Sequence, residues 1–163
     1  MDRNSPDEYR EPSPEFSIKA TIQLIAYIRA LHNELVQPII TPRFAISCTN
    51  ELLYNLGNLA AADTSLAIQT HISENQGEID FVKTLFPDCS SYADVYYKHG
   101  LLGPRTILAH GVHLTDGELE LIKSAGAGIS HCPTSNFNLR SGMARVGDML
   151  DRGIKVRTKK GNT

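Results

Sequence analysis

Cysteine is scarce in this chain of 163 residues, and what there is suits no structural chemistry. Cys48, Cys89 and Cys132 are an odd number with no C-x-x-C spacing, which argues against both a disulfide framework and a Cys-rich zinc module. Long apolar runs are missing too. Nothing approaches the roughly 18 consecutive apolar residues of a membrane span, and Met1 to Ser13 is charged and proline-bearing where a secretory signal would be apolar. A charge of one sign is also lacking: the formal net charge is −2 and lysine and arginine are spread along the chain. No basic stripe offers itself to a phosphate backbone, and there is no acidic tail. Nucleic acid and membrane are therefore poor partners, and a cytoplasmic protein is the default expectation.

What is present suits one domain, since roughly 150 residues can hide about two thirds of their unfolded surface. Ser13-Pro14 reads as an N-cap and a first-turn proline, and Ile18, Ile22, Ile25, Ile28 and Leu31 follow at helical spacing. Between Val36 and Ile46, Pro38-Ile39-Ile40 and Phe44-Ala45-Ile46 are short β-type runs flanking Thr41-Pro42-Arg43. A helix through Leu52, Leu56 and Leu59 comes next, with Thr49 or Ser47 as its cap. Leu66 to Thr70 is a strand again. A helix from about Gly77 stops near Pro87, and Ser91 to His99 makes another that Gly100 closes.

Thr106 to His110 is the third strand. Thr115-Asp116-Gly117-Glu118 fits a capping box for a helix ending at Gly126. Ala127 to His131 is the fourth strand, Met143, Val146 and Leu150 mark the last helix, and Ile154-Lys155-Val156 begins a fifth strand. Strands alternating with helices predict an α/β fold of right-handed βαβ units on a parallel sheet. A closed (β/α)₈ barrel needs eight strands and typically ~250 residues. The sheet is therefore either an open doubly wound one or part of a barrel.

Three strands end in a histidine: His71, His110 and His131. Parallel strands present their carboxyl ends on one side, so these imidazoles are expected to converge there. Glu74 follows His71 by three residues. An imidazole at a strand end can hold zinc, and a carboxylate just beyond it can move a proton to or from a metal-activated water. H-x-x-E alone is a weak signal; convergence of three strand ends strengthens it. His113 is expected to be structural or exposed. Arg43 either presents its donor fork to a carbonyl or anion or is a surface arginine, and Phe44 beside it is more often core than a stacking platform. Asn136 is either a turn residue or a hydrogen-bond partner for substrate, with turn chemistry the safer default.

Five stretches together carry a resemblance: Met1-Asp2-Arg3-Asn4, Thr41-Pro42-Arg43-Phe44-Ala45, Thr70-His71-Ile72-Ser73-Glu74-Asn75, Ala109-His110-Gly111 and His131-Cys132-Pro133-Thr134-Ser135-Asn136. In this order and spacing the chain resembles the guanine deaminases of the amidohydrolase superfamily, zinc-dependent (β/α)₈ enzymes, over about residues 1–156. The likeness implies a partial TIM barrel. His71 would be a zinc ligand that also lies against substrate, Glu74 the proton shuttle and a substrate contact, and His110 a second catalytic imidazole holding the nucleophile. Arg43 would hydrogen-bond the guanine carbonyl, with Phe44 against the ring. The implied reaction is hydrolytic deamination of guanine to xanthine and ammonia in purine catabolism, by a cytosolic homodimer using one zinc ion.

The departures from that pattern matter as much. The superfamily's His-x-His pair on its first strand has no counterpart here, and neither does its aspartate after a Gly-x-Gly-Thr run. In place of that ending stand Arg157-Thr158-Lys159-Lys160-Gly161-Asn162-Thr163, expected to be a divergent, disordered tail (residues 157–163) beyond the partial barrel domain of residues 1–156. The expectation is a truncated chain, inactive by itself. The alternatives are a non-catalytic fragment that pairs with a full-length subunit, or a sister amidohydrolase acting on another aminopurine or a chlorinated triazine.

Overall fold

Local chemistry sets where each helix begins. In the computed structural model, which describes residues 1–158, Ser13 accepts from the backbone of Phe16 and starts α1, Pro14–Ala30. Thr49, not Ser47, caps α2, Asn50–Ala62. Asn75 caps α3, Gln76–Leu85, and Ser91 caps α4, Tyr92–Lys98. The capping box at Thr115 and Glu118 opens α5, Asp116–Ala125, which Gly126 ends in the left-handed conformation at φ 72°. Two short helices follow, α6, Pro133–Asn138, and α7, Val146–Asp151.

The strands are β1, Ile39–Ile40, β2, Ala67–Ile72, β3, Thr106–His110, β4, Gly128–His131, and β5, Lys155–Thr158. All pair in parallel, and their spatial order is their chain order. A doubly wound sheet would reverse direction at a switch point. An order that never reverses is that of a barrel arc, and right-handed crossovers stepping one way put every helix on one face. That face holds the core: Leu52, Leu53, Leu56, Ile72, Tyr96, Leu108, Leu119, Ile122 and Ile129 are almost fully buried. The opposite, concave face carries Gln69 and Ile107, which lie side by side in the register and are exposed.

Three expectations need correcting. Phe44-Ala45-Ile46 is not strand: Ala45–Ser47 is a 3₁₀ turn, because the Ser47 hydroxyl donates to the Phe44 carbonyl and accepts from the Phe44 amide. The apolar stripe of α1 is not a core face, since only Ile25 of it is buried while Ile22 and Leu31 are exposed. Arg157 and Thr158 are not tail: they pair with Ser130 and His131, so the β4 backbone extends β5 past the expected boundary. Residues 159–163 of the expected tail lie outside the described residues.

The polar run at Met1 to Asn4 also finds its reason. Asp2 accepts from both the amide (2.9 Å) and the hydroxyl (2.5 Å) of Thr49, and Asn4 donates to the Ile46 carbonyl at 2.7 Å. The Arg3 guanidinium lies 4.9 Å from the centre of the Phe86 ring. The run thus fastens the turn that follows Arg43 and Phe44. Among the described residues no helix is long and apolar enough to cross a membrane.

Candidate active site

Strand β2 delivers His71 on the concave face. Its amide donates to the Arg43 carbonyl at 3.1 Å, and its Nδ1 lies 2.7 Å from the same oxygen. A carbonyl only accepts, so Nδ1 carries the proton and the Nε2 lone pair is left for another partner. Burial pulls the His71 pKa below its ordinary value, against the hydrogen bond to the Arg43 carbonyl, which acts to raise it. It is the Arg43 backbone, not its side chain, that orients His71. The Arg43 guanidinium stands exposed at the rim, 5.5 Å from the centre of the Phe44 ring. Phe44 stacks on His71 at 4.1 Å and 19°, and His71 on His110 at 5.2 Å and 22°. Phe44 is thus neither ordinary core nor loose rim but one end of a three-ring stack.

His110 reaches this stack by leaving the strand. The register pairs it with Ile72, and strict alternation would send its side chain with Leu108 toward the helices. Instead His110 has φ 73° and Gly111 φ 60°, left-handed geometry that a non-glycine residue adopts at a cost. Its Nδ1 lies 2.8 Å from Asn136 Oδ1 and 3.5 Å from Glu74 Oε1. Glu74 follows Ser73, itself at φ 48°, and its carboxylate is buried beside His110. The turn is pinned from two sides: the Ser73 carbonyl accepts from Val112 and His113, each at 3.1 Å, and the Glu74 amide donates to Glu78 Oε2 at 3.2 Å.

The third strand-end histidine does not join. His131 lines a separate cavity of about 240 Å³ under α6, together with Asn136, Phe137 and Met143. His113 is exposed and its Nε2 lies 2.7 Å from the Ser141 carbonyl oxygen, a structural place as its spacing suggested. Asn136, for which turn chemistry was the safer default, is instead a buried partner of His110 on a helix that Pro133 starts. Two further residues with a bearing on the site, Tyr96 and Glu78, were not singled out. Tyr96 was legible only as an apolar i, i+4 partner of Tyr92. Glu78 was legible only as a first-turn carboxylate three residues after the Asn75 cap.

Glu78 is 6 % exposed, and burial pushes its pKa up. An acid whose folded pKa lies above its unfolded value stabilises fully below the unfolded pKa, about 4.3, and loses that contribution as pH rises through the folded pKa. In urea titrations, the midpoint difference between the chain and Glu78→Gln is therefore expected to move in Gln's favour as pH rises across that window. A difference that stays constant with pH would remove Glu78 as its source.

Among the described residues no three His, Cys, Asp or Glu side chains are grouped to hold a metal. The donor chemistry of His71 nevertheless fits zinc: a neutral imidazole with Nδ1–H on a carbonyl and Nε2 free is how zinc-binding histidines are held. A catalytic zinc usually takes three protein ligands, and the described residues offer His71, with His110 beside it.

Known proteins share the sequence and the fold of this chain. The amidohydrolase family matches residues 1–158. The chain is 56% identical over 158 residues to the probable guanine deaminase of Schizosaccharomyces pombe, covering 96% of this chain and 30% of that protein. The crystal structure of guanine deaminase from C. acetobutylicum, with guanine bound in its active site, superposes with a TM-score of 0.92 at 43% identity, covering 97% of this chain and 37% of that one. Atrazine chlorohydrolase from Arthrobacter aurescens, complexed with zinc, shares the fold at a TM-score of 0.85 and 21% identity, over 98% of this chain and 34% of that one. The chain spans about a third of the length of the proteins it matches.

Proposed function

The chain belongs to the amidohydrolase family, and on that premise we propose that it forms the guanine-binding and proton-transfer part of a guanine deaminase site. The reaction is hydrolytic deamination of guanine to xanthine and ammonia, a step of purine catabolism. The observation that carries this reading is the cluster of His71, Glu74 and His110 closed on one side by Arg43 and Phe44. Higher identity to guanine deaminases than to the triazine-type relative supports guanine over a chlorinated triazine.

Each residue has a role its geometry suits. Arg43, exposed at the rim, hydrogen-bonds the guanine carbonyl, and Phe44 packs against the ring. Glu74, buried beside His110, takes a proton from the attacking water and delivers it to the purine. Burial strengthens that exchange by keeping bulk water out. His71 offers Nε2 to a zinc ion, and His110 offers a second imidazole to the nucleophile. Zinc supplies Lewis acidity, lowering the pKa of water toward ~7. The remaining ligands would come from another polypeptide.

It follows that this chain alone does not turn over guanine. Purified chain supplied with zinc is expected to form no more xanthine than its Glu74→Gln variant. Adding a polypeptide that carries the His-x-His pair and the aspartate is expected to restore turnover of guanine in preference to triazines. Turnover by the chain alone that vanishes in Glu74→Gln would overturn the dependence on a complement. Folded, complemented protein that ignores guanine would overturn the substrate.

A further inference from the structure

The Asn136 amide lies between His110 and the cavity under α6. Its Oδ1 faces His110 Nδ1 at 2.8 Å, while its Nδ2 is buried without a partner among the described residues. Asn136 is 1 % exposed, so water outside the protein cannot satisfy that donor. The amide oxygen is therefore the half of this side chain that is engaged, and its partner is His110.

The orientation of that amide decides the chemistry of His110. A carbonyl oxygen toward Nδ1 requires the proton on Nδ1, which leaves Nε2 as an acceptor. A flipped amide would donate to Nδ1 and move the ring proton to Nε2. Glu74 Oε1, 3.5 Å from the same Nδ1, also only accepts when ionised, so it agrees with the observed orientation, but at a distance where it cannot set it alone. We infer that Asn136 is a positioning residue that holds His110 in the Nδ1–H tautomer. This explains why Asn136 is buried on a six-residue helix. The value of the tautomer rests on the deaminase reading, in which His110 offers a lone pair to the nucleophile. Its existence does not.

The test reads the tautomer directly and needs neither zinc nor turnover, so its failure is distinct from failure of the guanine reading. In the ¹⁵N-labelled chain at mildly alkaline pH, two-bond ¹H–¹⁵N correlations report which nitrogen of each neutral imidazole is protonated. His110 is expected to be Nδ1–H in the chain and in Asn136→Asp, which keeps an acceptor. In Asn136→Leu, shown to be folded by its amide spectrum, Nε2–H is expected to become the major form, whereas Glu74→Gln leaves Nδ1–H dominant. A His110 that is already Nε2–H in the unaltered chain overturns the inference even if Asn136→Leu fails to fold. So does a tautomer that follows Glu74→Gln and ignores Asn136→Leu.

Discussion

Gly57→Ala is expected to lower the melting temperature by roughly 4–8 °C or more, although alanine is the better helix former. Gly57 lies in the middle of α2, where alanine gains about 1 kcal/mol over glycine from backbone entropy alone. Against this, a Cβ at position 57 would sit 1.8 Å from the His99 carbonyl oxygen and 3.0 Å from its carbon. The obstacle is backbone, not the end of a side chain that can swing away. Helix α2 and the segment after α4 must therefore separate, at the upper end of the ~1–3 kcal/mol typical of overpacking or beyond it. The net loss of about 2 kcal/mol corresponds to a few degrees per kcal/mol for a chain of this size. Thermal unfolding followed by circular dichroism checks it. An alanine variant as stable as the original would mean that α2 and α4 are not in backbone contact at this point.

That close approach bears on the site, because α4 carries Tyr96. Whatever moves α4 away from α2 also withdraws the hydroxyl that joins the strand of His71 to the turn after Phe44. The order of helices and strands was nonetheless readable without any of this. Punctuation is local: Ser13-Pro14, Ser91, the Thr115–Glu118 box, Gly100 and Gly126 each act within one turn of chain, and each is found where its chemistry puts it. The barrel-arc order then follows from the handedness of successive crossovers. What escaped was set by partners remote in sequence. Phe44-Ala45-Ile46 has strand composition, but the Ser47 hydroxyl and the docked Met1 to Asn4 run hold it as a turn. The stripe of α1 has core composition, but there is little in the described chain for it to pack on.

The site divides along the same line. His71 and Glu74 were legible because β2 and the turn after it are contiguous in sequence. His110 was legible as a strand end, but its place in the ring stack depends on a left-handed φ that alternation argues against. His131 shows the converse: the same strand-end pattern, in the same sheet, leads to a different cavity. Arg43 was singled out for its guanidinium, yet what it contributes to His71 is a carbonyl oxygen, a group every residue has. No residue-type argument can find a backbone contact of that kind, whereas Pro42 and the turn it begins hint at where such a carbonyl is left free.

Tyr96→Phe is expected to cost about 2 kcal/mol of stability and to loosen the Arg43–Phe44 rim, with no change in the shape of the core. Its hydroxyl accepts from the Ala45 amide at 3.1 Å and from Thr70 Oγ1 at 2.8 Å, and donates to the His71 carbonyl at 2.7 Å. Burial raises the pKa of this phenol, so it stays a donor across the working range. Phenylalanine keeps the ring and removes all three bonds. The Ala45 amide is then left buried with no other acceptor in place, a loss of ~1–3 kcal/mol. Thr70 suffers less, because its hydroxyl can turn to the Arg43 or His71 carbonyl, each 3.4 Å away. Thr70→Val should therefore cost less than Tyr96→Phe, and the pair should be non-additive, since both remove the same 2.8 Å bond. Urea midpoints of the two single variants and the double variant measure this coupling. Strict additivity would show that Thr70 and Tyr96 act separately, and an unchanged midpoint in Tyr96→Phe would show that the Ala45 amide is satisfied without the phenol. With the coupling present, the Arg43–Phe44 rim and the His71 strand are held in register by one buried hydroxyl on a helix remote from both in sequence.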